Sequence, residues 1–247
     1  MTIPYIEYTN SHRLQEVDST NNYCKSTKVK NGEWVTAEQQ SNGRGRGLNK
    51  WDSLGRGNIF FSAKVQIELD KIPSLSLVSL LVGSATLRTI HNYAENREEF
   101  SLKWPNDIYR MNKKIAGVLI EASTKNEIVE LIIGIGINLI FDSGKENLNY
   151  ATLYETEFDR NQKEKILHKL VENINIIMQK IYSRNITEEL TWIEYNSYLK
   201  DKMIQARVNK ILINGKFVGY SPDGFLLLYT ESGIVTLIDT DPDFKIN

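Results

Sequence analysis

A segment rich in glycine and arginine, EQQSNGRGRGLNKWDSLGRGN at residues 38–58, has the residue types best suited to bind an anion. Glycine lets backbone N–H groups converge on a ligand, and the guanidinium groups of Arg44 and Arg46 can each form paired hydrogen bonds to phosphate or carboxylate oxygens. The spacing differs from that of known phosphate loops, because an apolar strand follows instead of Gly-Lys-Ser/Thr or a helix. The alternatives are a surface loop without a ligand and, less favoured, an RNA-binding segment.

A second polar segment lies downstream in LKWPNDIYRMNKKIAGVLIE, residues 102–121. We interpret it as a polar turn between two apolar strands. Strand alternation sends Lys113 and Lys114 to opposite faces, so at most one of them points into a shared cleft. Asp107 is about equally consistent with a turn residue that bonds its own backbone and with a catalytic group.

The third candidate segment is the glycine-containing strand IIGIGINL, residues 132–139. Period-two alternation places Gly134, Gly136 and Asn138 on one face and the intervening isoleucines on the other. Two glycines on one face would clear a trough in which a flat ligand touches the backbone, and Asn138 would end that trough with an amide. The alternative is close packing of a helix against the glycines.

These segments must be positioned by an α+β fold, a mixed β-sheet packed with helices. Period-two patterns predict strands at residues 13–17, 33–39, 58–67, 100–104, 114–121 and 128–139. Helical patterns predict helices over residues 19–28, 73–95, 166–181 and 187–199. After residue 200 the sequence changes to short strands and turn signals, which predicts a small β-barrel domain at 200–247 after a larger domain at 1–199.

Composition limits the classes of function. The 247 residues include 30 Lys and Arg against 31 Asp and Glu, a net charge of −1, so no overall field favours nucleic acid or a membrane surface. The single cysteine, Cys24, excludes an internal disulfide, and neither a signal peptide nor a membrane span is visible, so we expect a cytoplasmic protein without a membrane partner. The histidines His12, His91 and His168 show no metal-ligand spacing.

Five motifs together resemble the biotin protein ligases. They stand in the order typical of that family: DSTN at 18–21, Gln40 with GRGRGLNKW at 43–51, KWPND at 103–107, KIAGVLIE at 114–121 and GIGIN at 134–138. The resemblance implies ATP-dependent attachment of biotin to a lysine of a biotin carboxyl carrier protein through biotinyl-5′-AMP, with Mg²⁺ as cofactor. It also implies that the small final domain is SH3-like. Few residues precede Asp18, so the resemblance is to the form without a DNA-binding domain, and we expect no DNA binding.

The resemblance assigns site residues in three groups. Biotin would be bound by Ser19, Thr20, Asn21, Gln40, Gly43, Arg44, Gly45, Arg46, Lys114, Gly117 and Gly134. ATP would be bound by Arg46, Trp51, Asn106, Lys114, Gly136 and Asn138. Catalysis would rest on Lys114, Arg44, Arg46 and Asp107, and no motif identifies the metal ligands.

The expected roles follow from the charges of the reactants. Arg44, Arg46 and Lys114 would hold biotin's carboxylate and the ATP phosphates together, since two anions repel. The glycine-rich loop would close over the adenylate and exclude water, with Trp51 and Trp104 packing on the ligand. Two other functions remain open: a lipoate-protein ligase, and a non-catalytic protein that binds biotin or nucleic acid. A homodimer formed through an exposed sheet edge is also open.

Overall fold

The computed structural model describes residues 3–51, 57–141, 149–155, 159–208, 211–238 and 244–246. Within these ranges the chain forms two β-sheets and four α-helices. The strands of the first sheet are β1 (Ser11–Val17), β2 (Trp34–Gln40), β3 (Ile59–Glu68), β4 (Phe100–Lys103), β5 (Asp107–Arg110), β6 (Lys113–Lys125) and β7 (Ile128–Ile137). The helices are α1 (Thr20–Lys25), α2 (Leu75–His91), α3 (Arg160–Ser183) and α4 (Thr187–Tyr195). The strands of the second sheet are β8 (Met203–Val208), β9 (Ile211–Tyr220), β10 (Leu226–Thr230), β11 (Gly233–Leu237) and β12 (Lys245–Ile246).

The first sheet is mixed and seven-stranded, in the order β1-β2-β3-β7-β6-β5-β4. β1 runs parallel to β2, and the remaining neighbours are antiparallel. β3, β7 and β6 are central and pair over most of their length, which places the glycines of β7 in the middle of the sheet. The predicted α+β class with a mixed sheet is confirmed.

A helical layer covers one face of this sheet. Ser74 caps the N-terminus of α2, since its Oγ accepts a hydrogen bond from Leu77 N at 3.1 Å, and the residues of α2 are buried along most of its length. α3 packs against α2 and has the predicted apolar stripe, which is formed by Ile166, Leu167, Leu170, Val171, Ile174, Ile177, Met178 and Ile181. Apolar burial therefore holds this layer to the sheet.

The opposite face of the sheet carries α1 and a smaller apolar cluster. Cys24 of α1 packs there with Val29, Val35 and Ile132. Ile132 lies one residue before Ile133, which belongs to the main core, so β7 alternates between the two faces as its sequence predicts. The face that carries α1 also carries the glycines of β7, which the sequence predicts to form a ligand trough.

The second sheet is antiparallel, with the order β11-β10-β9-β8-β12. It confirms the predicted small SH3-like β domain, whereas the boundary between residues 199 and 200 stays a prediction. A tight turn docks this domain on the first one: Gly224 O accepts hydrogen bonds from Trp104 Nε1 at 2.9 Å and Ser76 Oγ at 3.2 Å. Gly224 has a φ of +75°, and a Cβ there would come within 2.6 Å of the Leu77 backbone, so this contact requires glycine.

Several element boundaries differ from the sequence prediction. We predicted a polar turn between the strands at 100–104 and 114–121, but four of the intervening residues, Asp107–Arg110, form β5 between β4 and β6. A four-residue strand with one buried side chain has too little alternation to be recognised in a sequence. α1 ends at Lys25 and α4 at Tyr195, earlier than predicted. In the described part of the chain, no helix combines the length and the apolar character needed to cross a membrane.

Candidate active site

A pocket of about 330 Å³ lies between the glycine-rich loop, α1 and the glycine face of the sheet. This volume falls within the roughly 300–1,000 Å³ typical of small-molecule sites. The pocket brings together most of the sequence-predicted site residues: Ser19, Thr20, Asn21, Gln40, Arg44, Gly45, Arg46, Trp51, Asn106, Asp107, Lys114, Gly117, Gly134 and Gly136. Gly43 and Asn138 are the two predicted residues that do not line it.

One end of the pocket is a wall of buried polar side chains. Gln40 Oε1 accepts hydrogen bonds from Thr20 N at 2.8 Å and from Thr20 Oγ1 at 3.1 Å. Ser62 Oγ donates to Asn21 Oδ1 at 2.6 Å and lies 2.8 Å from Thr20 Oγ1. The hydrogen bonds fix the rotamers of these side chains, so this end of the pocket is already ordered without a ligand.

Ser62 is a site-shaping residue that the sequence analysis missed. It is fully buried, and it pairs across the strands with Gly134, so its hydroxyl reaches Asn21 beside that glycine. Asn21 lies so close to Gly134 that a Cβ there would be 2.1 Å from Asn21 Oδ1. Gly134 thus accommodates a side chain of α1. The alternative that we left open, helix packing against the glycines, therefore describes Gly134 in this structure.

The second glycine position carries Trp51 from the loop. Gly117 and Gly136 are direct cross-strand partners, and together they leave a flat area without side chains. The indole of Trp51 lies on it, since a Cβ on Gly136 would be 2.4 Å from Trp51 Cε2. Trp51 Nε1 is buried there without a hydrogen-bond partner in the described part of the chain. The predicted trough exists, and the loop's own tryptophan lies in it.

Lys114 and Asp107 form the charged centre of the pocket. Lys114 Nζ lies 2.7 Å from Asp107 Oδ1 and 5.2 Å from the centroid of the Trp51 ring. Both side chains are about one quarter exposed, at 26% and 23%. Lys113, by contrast, is exposed at the start of β6.

A β-bulge explains why the inward lysine is Lys114. Strict alternation back from Gly117 would put Ile115 and Lys113 on the pocket face. Instead the register shifts: Ile108 pairs with Ala116 and Tyr109 pairs with Lys114, so Ile115 is an extra residue in β6. The bulge moves Lys114 to the pocket side, where its Cε lies 3.1 Å from the Cβ position of Gly117.

The glycine-rich loop is folded back on itself by backbone hydrogen bonds. Gly45 N donates to Asn49 O at 2.8 Å, and Trp51 N donates to Gly43 O at 3.0 Å. Gly43 is buried, and a Cβ there would be 2.5 Å from Trp51 O, so this glycine permits the loop to fold closely rather than touching a ligand. Its assignment to the biotin site stays a prediction that the lining of this pocket does not support.

The two loop arginines lie in different environments. Arg44 is exposed, and its guanidinium hydrogen-bonds Glu121 at 2.8 Å and Asn22 Oδ1 at 2.8 Å. Arg46 is half-buried and lines the pocket. Both arginines line the pocket, but the guanidinium of Arg44 is engaged by Glu121 and Asn22.

Asn106 and Asn138 were both predicted to bind the nucleotide. Asn106 lines the pocket, and its Nδ2 donates to Val118 O at 2.6 Å. Asn138 is buried just past the end of β7, and both polar atoms of its amide are without a hydrogen-bond partner in the residues described. Buried unpaired amides cost free energy, so a group of this kind needs a reason.

The small domain also reaches the pocket. Phe244 is among the lining residues, and its ring centroid lies 6.4 Å from that of Trp104. Lys103, which sequence reasoning also missed as a lining residue, donates to Tyr109 Oη at 3.0 Å. Phe244 carries no short-range sequence signal, because its position depends on docking of the second sheet. Lys103 begins the KWPND motif, but the sequence analysis assigned it no role in the site.

No group of three or more histidine, cysteine, aspartate or glutamate side chains forms a metal site within the described ranges. Asp107 is the carboxylate among the residues that line the pocket. The site thus lacks a protein cage for a metal among these residues.

Comparisons with known proteins identify the family. The family described as "Biotin/lipoate A/B protein ligase family" matches residues 11–138. The chain belongs to this family. It is 28% identical over 231 residues to the bifunctional ligase/repressor BirA of Salmonella typhimurium, covering 90% of this chain and 70% of that protein. It is also 31% identical over 106 residues to a biotin–[acetyl-CoA-carboxylase] ligase of Mycobacterium tuberculosis. That match covers 42% of this chain and 38% of the relative.

A solved structure agrees with these relatives. The biotin protein ligase from Aquifex aeolicus, determined in complex with biotin and ATP, superposes with a TM-score of 0.79 at 30% identity and covers 96% of this chain and 98% of that one. The resemblance to biotin protein ligases drawn from the five motifs is confirmed. The roles of individual site residues stay predictions.

Proposed function

We propose that this chain is a biotin protein ligase that activates biotin with ATP and passes it to a lysine of a biotin carboxyl carrier protein. In the first step a carboxylate oxygen of biotin attacks the α-phosphorus of ATP, and pyrophosphate leaves. In the second step the lysine amine attacks the acyl carbon of biotinyl-5′-AMP, and AMP leaves. The lysine ammonium of the carrier loses one proton before the amine attacks, and the nitrogen loses a second proton as the amide forms.

The observation that carries this proposal is one pocket with a neutral polar wall at one end and a cationic centre beside it. Thr20 and Gln40 line this wall, and the buried hydroxyl of Ser62 behind it holds Thr20 and Asn21 in place. Such a wall fits the ureido group of biotin, which has two N–H donors and a carbonyl acceptor. The carboxylate at the far end of biotin's chain would then approach Lys114 and Arg46.

Lys114 is the group best placed to act on the first step. Two unit charges about 4 Å apart repel by several kcal/mol at an intermediate effective dielectric constant, so bringing two anions together needs cations. Lys114 is now paired with Asp107, and the reactants would compete for its ammonium group. Once Lys114 turns to the phosphate, Asp107 is free to receive the ammonium of the incoming lysine.

Two side chains of the pocket lining support a nucleotide-binding end. Asn138 does not line the pocket, so its buried and, in the described residues, unpaired amide would reach a base or ribose only after its neighbours move. Asn106 lies at the pocket wall. Trp51 would move off Gly136 to admit the ligand and then cover it, so the loop both vacates and closes the site.

We also propose that Mg²⁺ takes part through the ATP phosphates. The described residues provide Asp107 as a pocket carboxylate and no cluster that would cage a metal. A bound Mg²⁺ would neutralise phosphate charge, and it would be held largely through the phosphates themselves. A cytoplasmic location is likewise proposed, and the free thiol of Cys24 is compatible with it.

Biotin-dependent exchange of pyrophosphate into ATP tests the first step directly. The protein is mixed with ATP, Mg²⁺, labelled pyrophosphate and either biotin or lipoate. We expect label to enter ATP with biotin and not with lipoate. Exchange supported by lipoate alone would assign the chain to the other branch of the family, and no exchange with either acid would leave the non-catalytic alternative.

A further inference from the structure

Glu121 is a carboxylate at the pocket rim to which no part of the predicted site assigns a role. It lies in β6 on the same face as Gly117. Both residues follow the bulge and are separated by four positions, an even number, so strand alternation places them on the same side. Its side chain is 19% exposed. The residue ends the KIAGVLIE motif, where sequence reasoning treated it only as the end of a strand.

Three side chains from two segments of the chain converge on this carboxylate. Glu121 Oε1 accepts hydrogen bonds from Lys25 Nζ at 2.7 Å and from Arg44 Nη2 at 2.8 Å. Glu121 Oε2 accepts from Asn21 Nδ2 at 3.0 Å and lies 3.4 Å from Arg44 Nη1. Lys25 and Asn21 belong to α1, whereas Arg44 belongs to the glycine-rich loop.

The electrostatics favour an ionised Glu121. Burial alone would raise the pKa of Glu121, but the hydrogen bonds from Lys25 and Asn21 and the charges of Lys25 and Arg44 lower the pKa below its ordinary value. At neutral pH the carboxylate therefore remains charged. Charge-assisted hydrogen bonds are stronger than neutral ones, so this carboxylate is a firm acceptor for the loop.

The connection runs from the loop to the wall of the pocket. Arg44 also donates to Asn22 Oδ1 at 2.8 Å, so its guanidinium bridges β6 and α1. The Asn21 amide is fixed between Glu121 and Ser62, and it lies on Gly134. A change at Glu121 would thus release the loop and loosen the polar wall together.

We propose that Glu121 is a positioning residue that anchors the glycine-rich loop through Arg44 and sets the affinity of the pocket for biotin. Arg44 then acts on the loop and not on the reacting anions, unlike the role that the sequence suggested. The inference rests on the proposed function, because it concerns the affinity of that same pocket.

The test is a double-mutant cycle of Glu121→Gln, Arg44→Ala and the combined variant, measured by biotin-dependent pyrophosphate exchange. Each single change should raise the KM for biotin by at least about tenfold, as expected for loss of a charge-assisted hydrogen bond, with kcat changed less than about threefold. The combined variant should match the larger single effect within about twofold. Lys25→Ala is the matched control: it removes a cation from the same carboxylate but not from the loop, and KM should stay within about threefold of the parent.

Hydrogen exchange separates this inference from the proposed function, because it needs no substrate. In the ligand-free protein, the amides of Gly45, Asn49 and Trp51 should exchange at least about tenfold faster in Glu121→Gln and Arg44→Ala than in the parent and in Lys25→Ala. Arg44 is exposed, so its variant remains informative even if Glu121→Gln does not fold. Three results would overturn the proposal. The first is that the two single effects on KM multiply in the combined variant. The others are an unchanged KM together with unchanged amide hydrogen exchange, or a fall in kcat for Arg44→Ala. If the parent protein shows no biotin-dependent pyrophosphate exchange, that result would count against the proposed function, and the amide hydrogen-exchange test of Glu121 would still be valid.

Discussion

Two glutamates of this molecule, Glu189 and Glu121, each form ion pairs with two cationic side chains, and they lie in regions that differ in packing. Glu189 of α4 pairs with Arg88 of α2 at 3.0 Å and Lys180 of α3 at 2.6 Å, and it is 1% exposed inside the helical layer. Glu121 pairs with Lys25 and Arg44 at 2.7 and 2.8 Å, at the rim of the pocket. Both clusters pair one carboxylate with a lysine and an arginine, but the first lies inside packed helices and the second lies beside a loop.

Packing decides what each ionic cluster does. Glu189 joins helices that already bury apolar side chains against one another. Loss of its carboxylate would leave two cations without their partner between these helices and so reduce the stability of the fold. Around Glu121, the glycine-rich loop is held to the sheet by the indole of Trp51 and by Arg44, so loss of the carboxylate would release the Arg44 side of the loop while the core stays intact. An ionic cluster near a ligand pocket can thus fix the position of a loop, whereas a similar cluster in a packed helical layer contributes to the stability of the fold.

The largest expected effect is on the pocket side, for Lys114→Ala. Adenylate formation should fall by about 100-fold, the size of effect seen when one transition-state donor is removed. The midpoint of thermal unfolding should stay close to that of the parent, because Lys114 is partly exposed and its partner Asp107 can be solvated. Exchange kinetics and thermal unfolding measure the two quantities.

Lys113→Ala is the matched control for that change. Lys113 is exposed at the same strand end, so its removal should leave exchange within about twofold of the parent. Equal losses from the two variants would mean that the bulge in β6 does not decide which lysine acts.

On the helical side, Glu189→Gln should act on stability alone. We expect the free energy of unfolding to fall by about 2 kcal/mol, since hydrogen bonds to a charged group are lost from a buried position. For a chain of this size, that corresponds to a fall of about 4–8 °C in the unfolding midpoint. The KM for biotin should remain within about twofold of the parent. A rise in KM without loss of stability would break the contrast with Glu121.

Arg46→Gly should affect retention of the intermediate. Arg46 lines the pocket and lies in the loop that closes it, so its loss should raise the open fraction by about tenfold or more while Lys114 still supports the first step. Biotinyl-5′-AMP would then escape and acylate lysines of an unrelated protein, which blotting or mass spectrometry detects. If the variant makes adenylate but labels the unrelated protein no faster than the parent, Arg46 does not hold the loop closed.

The smallest expected effect is a pH dependence of the Glu189 contribution. Burial would raise the pKa of Glu189, but hydrogen bonds from Arg88 and Lys180 and the charge of Arg88 lower it below its ordinary value of 4.5. Because the folded-state pKa is depressed, the contribution is complete above about pH 5 and is lost as pH falls through the folded-state pKa. The difference in unfolding free energy between parent and Glu189→Gln should therefore be constant from about pH 5 to 8 and shrink in acid. A difference that grows in acid would contradict the assigned sign.

Much of the fold followed from local patterns in the sequence. The alternation of β7 and the apolar stripe of α3 are local, and both were predicted at close to their observed positions. β5 was not predicted, because a short half-exposed strand depends on its neighbours more than on its own residues. The bulge that includes Ile115 depends on β5, so the sequence alone left the choice between Lys113 and Lys114 to the family resemblance.

Residues that line the pocket were predictable where they lie in compact motifs. Most of those residues line one pocket. Ser62 and Glu121 were not found, because each acts through contacts 40 or more positions away in the chain: Ser62 reaches Asn21, and Glu121 reaches Arg44. No short-range pattern marks a hydroxyl or a carboxylate of this kind. Trp51 on Gly136 was also unforeseen, since the position of a loop over a strand is a tertiary property.

The most direct test of the central claim is recovery of the intermediate from the protein itself. The chain is incubated with biotin, ATP and Mg²⁺ without a carrier, separated from free ligands by gel filtration, and analysed by mass spectrometry after denaturation. We predict biotinyl-5′-AMP close to one per chain, which disappears when a biotin carboxyl carrier protein is added and reappears as biotin on one of its lysines. A chain that carries only unreacted biotin, or an adenylate that the carrier does not consume, would contradict the account.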